Sequence, residues 1–192
     1  MKKFTFTLLA AAFAVSANAV SISWGANKGY LYDGAGDSAA KVTSGTAYLV
    51  STGFSQADLV DLFVGANGDS ATTLTSLQSK SAYLGSGTVG DNARIADAAG
   101  TTSITEDITA YFVVFNGGKM YVSATADGTY DALQQEHSIT FTTSMTSSSK
   151  TTIDATASGG YTTAGWYSVP EPTTVALLAL GLAAVGLKRR VA

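Results

Sequence analysis

Hydrophobic residues follow three different patterns along this chain. A continuous apolar run lies near each end, and shorter apolar or alternating segments are spread through the part between them. Alternation with a period of two indicates strands, whereas a spacing of three or four residues indicates helices. The middle of the chain is therefore expected to fold, and its two ends are expected to have another purpose.

The strongest strand signal spans Ile108–Ala124. Residues Tyr111–Phe115 are aromatic or β-branched throughout, Asn116–Gly118 suits a turn with positive φ, and Met120–Val122 resumes the apolar pattern. This pattern predicts a β-hairpin with a tight loop. Because both faces of its first arm are apolar, we expect that arm to be a central strand covered on both sides.

Shorter apolar segments predict the remaining strands. They are Ser21–Trp24, Tyr30–Tyr32, Thr46–Ser51, Ser138–Thr143 and Trp166–Tyr167. Ten of the fifteen residues in Thr142–Thr156 are Ser or Thr, which fits an edge strand with a loose loop or a flexible link.

Helical spacing is confined to a few segments. Ser55 is a candidate N-cap with Asp58 three residues later, and Gly65 is expected to end the helix that follows. A second helix is predicted over about Ala71–Ser79, and one helical turn over Asp131–His137. The fold class is therefore predicted to be mainly β, an antiparallel sandwich or roll with one or two short helices. An α+β layer with helices on one sheet face is the alternative.

Charge and composition exclude several classes of function. Residues 20–168 contain thirteen acidic and six basic side chains, which gives a net charge near −7 and argues against nucleic-acid binding. Their length suits one domain. The chain has no cysteine, so neither a thiol nucleophile nor a zinc–thiolate site is available.

Few residues suggest catalysis. His137 is the only histidine, and no Gly-x-Ser-x-Gly motif accompanies it. A Ser-His-Asp triad needs a histidine base that a carboxylate orients, and His137 is the only candidate for that base. We expect it instead to be a partly exposed residue at a junction between helix and strand. Glu106 and Asp107 are adjacent, so on a strand they would point to opposite faces. Glu136 could pair with either in space, but the prediction is that no catalytic residue is present.

Binding sites are also weakly indicated. Asp33 and Asp37, or the turn at Asn67–Asp69, could offer oxygens to calcium, but their spacing differs from that of an EF-hand loop and suits ordinary turns. No metal or cofactor is therefore predicted. Tyr30 and Tyr32 are expected on one strand face, where they could stack on sugar rings or form a cross-strand pair.

The amino end has the three parts of a secretory signal peptide. Lys2 and Lys3 precede an apolar run over Phe4–Val15, and Ala17 and Ala19 form a small-x-small cleavage site. We expect cleavage after Ala19, which would leave Val20 as the new amino terminus.

The carboxyl end has a different three-part order. A short peptide, Val169, Pro170, Glu171 and Pro172, comes first, followed by the apolar run Thr173–Leu187 and the basic residues Lys188, Arg189 and Arg190. Fifteen helical residues reach about 22 Å, which is short for a hydrocarbon core of about 30 Å. The basic residues suit the cytoplasmic side of a membrane.

This carboxyl end resembles the PEP-CTERM sorting signal of Gram-negative bacteria, with Pro170, Glu171 and Pro172 as the namesake tripeptide. The resemblance implies an exported protein that an exosortase processes, in bacteria that make exopolysaccharide or biofilm. The expected organisation is a signal peptide over residues 1–19, an exported β-rich domain over 20–168, and a sorting signal with a transmembrane helix over 169–192.

The expected function is that of a non-enzymatic surface or extracellular-matrix protein. It would be anchored transiently in the membrane and then released to the cell surface or beyond. Its expected partners are an exosortase-type enzyme, the membrane and extracellular polysaccharide. A carbohydrate-binding or adhesive module is the alternative, and a hydrolase is the third.

Overall fold

The computed structural model describes residues 19–26, 30–33, 40–91, 94–141, 152–155 and 164–169. Within these ranges the chain forms ten strands and two helices, which confirms the predicted mainly β class. The strands are β1 Val20–Ala26, β2 Thr46–Ser51, β3 Tyr83–Thr88, β4 Ile95–Thr102, β5 Ile108–Asn116, β6 Lys119–Val122, β7 Ala126–Asp131, β8 Glu136–Thr140, β9 Thr152–Asp154 and β10 Gly165–Ser168. The helices are α1 Gln56–Gly65 and α2 Ser70–Gln78. Among the described residues, neither helix is long and apolar enough to cross a membrane.

Seven of the described strands close into a ring. Their order is β2-β3-β4-β1-β8-β7-β5, and β5 pairs with β2 to complete it. The predicted antiparallel sandwich or roll is therefore only partly right: the ring is almost wholly antiparallel, but its one sheet closes on itself like a barrel. All pairs in the ring are antiparallel except β1 with β8. Closure leaves no exposed strand edge within the ring.

Strand β5 is the branch point of the sheet. One of its edges pairs with β2, and its other edge pairs with β7 over Ile108–Ala110 and with β6 over Val113–Asn116. Beyond β6 the sheet continues through β10 to β9. The residues from Ala110 to Val114 are fully buried, which confirms the prediction of a central strand covered on both faces.

Two hydrophobic clusters lie on opposite sides of β5. Alternate strand residues point to opposite faces, so Phe112 and Val114 join the cluster enclosed by the ring, whereas Tyr111 and Val113 join the cluster beneath the helices. The first cluster includes Trp24, Tyr121, Phe141 and Trp166. The second includes Leu59, Phe63, Leu77, Met120 and Tyr167.

The predicted starting signals of α1 are confirmed. The Ser55 side chain accepts a hydrogen bond from the Asp58 backbone N–H, and the Asp58 carboxylate accepts one from the Ser55 backbone N–H. This reciprocal capping box satisfies amide groups that the first helical turn leaves free. The helix ends at Gly65 as expected, and it buries Leu59 and Phe63 against the sheet.

Two local predictions are wrong. Tyr30–Tyr32 is not a strand, since only a single bridge joins Tyr32 to Lys41. The predicted helical turn over Asp131–His137 is instead a β-hairpin in which β7 ends at Asp131 and β8 begins at Glu136. The Asp131 carboxylate accepts hydrogen bonds from the amides of Leu133 and Gln134, which closes the turn without a helix.

Candidate functional site

The carboxyl-terminal peptide leaves the fold from a strand that is paired on both sides. Tyr167 of β10 lies opposite Met120 of β6 and Ile153 of β9. The Ser168 carbonyl accepts a hydrogen bond of 2.9 Å from the Ala155 amide. The chain is therefore held by neighbouring strands up to the last residue before Val169.

Two aromatic side chains fasten this last strand to the core. Trp166 is 0% exposed and Tyr167 is 1% exposed, and they enter opposite hydrophobic clusters. The Trp166 indole N–H donates a hydrogen bond to the Tyr32 carbonyl oxygen. Tyr121 packs against the Trp166 ring with a centroid separation of 5.5 Å. β10 is thus an integral strand of the domain.

Val169 is the only residue of the predicted sorting peptide that lies within the described residues. It follows β10 directly, is half-buried and packs against the cluster beneath the helices. Pro170, Glu171, Pro172, Lys188, Arg189 and Arg190 lie outside the described residues, so their sorting role stays a prediction.

At the amino end, the described chain begins at Ala19. Ala19 is exposed, whereas Val20 is 2% exposed and pairs with Thr102 as the first residue of β1. Ala17 lies outside the described residues. Cleavage after Ala19 therefore stays a prediction, and β1 starts at the residue that such a cut would make terminal.

The prediction of a partly exposed His137 is wrong. His137 lies within β8, is 0% exposed and points to the same side of the strand as Ile139. Its Nε2 atom is 2.9 Å from the Ile104 carbonyl oxygen, and its ring centroid is 5.1 Å from that of Tyr130. A side chain in this position cannot contact a substrate in solvent, and it instead tethers the segment between β4 and β5.

The carboxylates considered for catalysis are placed separately. Glu106 is exposed between β4 and β5, and Glu136 is half-buried at the start of β8. The Asp107 carboxylate accepts a 2.9 Å hydrogen bond from the Tyr130 amide. Among these three, Asp107 thus fixes the backbone of β7.

The candidate calcium turns use their side chains for local hydrogen bonds. The Asp33 carboxylate accepts from the Ala40 amide at 3.0 Å. Asp69 caps α2 by accepting from the Thr72 amide at 2.6 Å, and this hydrogen bond lowers the pKa of the Asp69 carboxyl. Asp37 lies outside the described residues. Within the described ranges, no group of three His, Cys, Asp or Glu side chains could hold a metal ion.

Tyr30 and Tyr32 are close together but do not make a flat platform. Their ring centroids are 6.5 Å apart and their planes cross at 81°. Lys41 Nζ lies 3.5 Å from the Tyr30 ring centroid, and Arg94 Cζ lies 5.2 Å from it. Cations at such distances are attracted to the ring face. Sequence reasoning predicted the tyrosine pair but missed its two cations, which come from separate segments.

An open cleft lies beside β3 and β4. Its volume is about 310 Å³. Small and hydroxyl-bearing residues dominate its lining, which consists of Ser51, Gly53, Ser81, Ala82, Leu84, Thr101, Thr102, Ser103 and Ile104. Neither Glu106 nor Glu136 is part of this lining, so the cleft lacks the paired carboxylates that glycoside hydrolysis uses.

Comparison with protein families finds one match. Residues 168–190 match the family model described as the PEP-CTERM protein-sorting motif. The resemblance noted in the sequence is thereby confirmed for this part of the chain. The comparisons with curated proteins and with solved structures found no match. The matched segment begins at Ser168, the last residue of β10.

Proposed function

We propose that this chain, an exosortase substrate that carries the PEP-CTERM sorting motif, is a non-enzymatic surface or extracellular-matrix protein. The motif marks an exported protein that is sorted through its C-terminal signal. Residues 20–168 supply the exported domain. After processing near Pro170–Pro172, this domain leaves the membrane for the cell surface or for extracellular polysaccharide.

The observation that supports this proposal most directly is the position of the motif on the fold. The family match starts at Ser168, where β10 ends, and only Val169 separates that strand from Pro170. Prolines favour extended backbone at the residues before them. A short extended peptide between a folded domain and an apolar run is suited to a membrane-bound processing enzyme.

A non-enzymatic role is supported by the use that the fold makes of its polar side chains. His137 is buried against the Ile104 carbonyl oxygen, and Asp107 is bonded to the Tyr130 amide. General acid–base catalysis needs a group within hydrogen-bond reach of the substrate. These side chains stabilise loops of the barrel, so we assign them no catalytic role.

Mass spectrometry of the mature protein tests the sorting proposal. The chain is expressed in a host with the exosortase and in the same host without it, as wild type, Glu171→Ala and Glu106→Ala. Glu106 is exposed and lies outside the motif, so its substitution is the matched control. We expect processed wild type and Glu106→Ala only with the exosortase, and poor processing of Glu171→Ala. A wild-type chain that keeps its carboxyl terminus through Ala192 would contradict the proposal.

A second candidate function is binding of an acidic carbohydrate. One observation favours it: within the described residues, three of four cationic side chains, Lys41, Arg94 and Lys119, lie around Tyr30–Asp33. Their charges would attract a carboxylated or sulfated sugar despite the acidic domain. A glycan array with neutral and acidic glycans tests this candidate, with Lys41→Ala as the variant and Lys80→Ala, whose Nζ lies over the Phe54 ring, as control. Equal binding by both variants would refute it.

A further inference from the structure

The turn between α1 and α2 has an unusual backbone at its centre. Asn67 and Gly68 both have positive φ, of 52° and 76°. The Asn67 amide donates to the Val64 carbonyl, and the Gly68 amide donates to the Phe63 carbonyl, each at 2.9 Å. These hydrogen bonds occupy carbonyl groups that the end of a helix leaves free. The turn is therefore a fixed part of the domain surface.

Val169 lies directly against this turn. A carbon atom added at the Cβ position of Gly68 would lie 3.4 Å from Val169 Cβ and 3.7 Å from Phe63 Cζ. Those distances are ordinary van der Waals contacts, so a single carbon would already fill the space beside Gly68. Val169 thus occupies a site that is bounded by Phe63 and by Gly68, which has no side chain.

The chain before Val169 is held firmly in the fold. β10 has partners on both sides, and Trp166 and Tyr167 are almost fully buried. Beyond it, only the four residues of Val169–Pro172 precede the apolar run, and four extended residues span at most about 14 Å. An enzyme that acts on this peptide must therefore lie close to the face of the domain that carries the α1–α2 turn.

We propose that the α1–α2 turn is a docking surface for Val169, and that this docking competes with the processing enzyme for the peptide. The inference rests on the proposed sorting function. Binding of a peptide as an extended segment is a common mode of recognition. An enzyme that takes Val169–Pro172 in this way must first lift Val169 from Gly68 and Phe63. The apparent affinity of the enzyme for the peptide is then its intrinsic affinity multiplied by the fraction of chains in which Val169 is undocked.

Variants of the turn test this competition without changing the motif. Gly68→Asn adds atoms where Val169 sits, while asparagine tolerates positive φ better than most other non-glycine residues do. Gly118→Asn is the matched control, since Gly118 has a φ of 73° and nothing within 4 Å of its added Cβ. At limiting exosortase, we expect Gly68→Asn to be processed about three- to tenfold faster than wild type, which is the effect of losing one half-buried apolar contact. We expect Gly118→Asn to match wild type.

A second measurement detects docking without any processing. Because the chain has no cysteine, a Val169→Cys substitution provides a single thiol in the full-length chain. In a host without exosortase, its maleimide labelling should be several-fold faster in the Gly68→Asn background than in the Gly118→Asn background. Equal labelling would overturn the docking surface.

The outcomes separate this inference from the proposed function. If wild type is not processed by the exosortase host, the proposed function fails, and the labelling still decides whether Val169 docks. If wild type is processed but Gly68→Asn is not faster than Gly118→Asn, the competition fails while the sorting function stands. Faster processing together with faster labelling of Gly68→Asn alone supports the inference.

Discussion

Substitution of Val113 by alanine is the most direct test of β5 as the stability centre of the domain. Val113 is 0% exposed and pairs with Tyr48 on β2 and Val122 on β6. It belongs to the cluster beneath the helices, where Leu59 and Phe63 are also fully buried. The two lost methyl groups cannot be replaced by solvent in this position.

The expected cost follows from burial and from the cavity. Removing two buried methyl groups costs about 1.6 kcal/mol of transfer free energy, at roughly 0.8 kcal/mol each. The space they leave is bounded by paired strands and a helix, so it collapses only in part and adds to the cost. We therefore expect Val113→Ala to lower the free energy of unfolding by about 2–3 kcal/mol.

Urea denaturation of the Val20–Val169 fragment measures this change by tryptophan fluorescence. Both tryptophans report on the core, because Trp24 is 3% exposed and Trp166 is 0% exposed. Val64→Ala is the matched control, since Val64 is only half-buried on α1 and alanine favours helix. It should change the free energy of unfolding by less than about 1 kcal/mol. If Val113→Ala shifts the midpoint no more than Val64→Ala does, β5 is not the stability centre.

Three further predictions use the same denaturation assay. A Cβ on Gly100 would lie 2.3 Å from the Leu84 carbonyl oxygen, so Gly100→Ala should lower the free energy of unfolding by at least about 2 kcal/mol. Gly65 has nothing within 4 Å of an added Cβ, so Gly65→Ala should instead raise that free energy by up to about 1 kcal/mol. Burial raises the pKa of the Tyr111 phenol, so the folded state keeps a proton that the unfolded state loses above pH about 10. Stability should therefore fall as pH rises beyond that value, and Tyr111→Phe should flatten the fall. His137→Ala should lower the free energy of unfolding by about 1–3 kcal/mol, and an unchanged midpoint would contradict its structural role.

The elements predicted correctly from the sequence are those set by neighbouring residues. Ser55 and Asp58 form their capping box within one helical turn. Gly117 and Gly118 adopt positive φ between β5 and β6, as a tight hairpin requires. In both cases the residues that decide the conformation lie within four positions of one another, so the pattern is readable without the rest of the fold.

The strands β3 and β4 escaped prediction because glycine and alanine give no strand signal. Gly85 lies opposite Gly100, and an added Cβ on Gly85 would be 2.5 Å from the Gly100 Cα. Glycine normally weakens a strand, yet here its missing side chain lets two backbones approach closely. The closure of the ring was equally hidden, since β2 pairs with β5 across more than 50 residues of sequence.

The candidate site shows the same division between local and distant information. The order of Pro170–Pro172, the apolar run and the basic residues is contained in one short segment, so the sorting motif is readable from sequence. That Val169 would meet Gly68, about a hundred residues earlier, depends on how β10 enters the sheet. His137 was misjudged for a related reason, because its burial depends on the Ile104 segment of a distant loop.

The placement of β10 also links completion of the fold to the moment of sorting. Trp166 donates its indole hydrogen bond to the carbonyl of Tyr32, which is 134 residues earlier in the chain. An exported domain therefore cannot finish its core until residue 166 has crossed the membrane. Under the proposed sorting function, the apolar run that begins at Thr173 is then only seven residues behind and is expected to enter the bilayer. The last strand can thus be secured, and Val169 docked, only when the sorting peptide reaches the membrane surface. The proposed function therefore implies that the enzyme meets the processing site of a domain that has already folded, because the strand before that site is deeply packed.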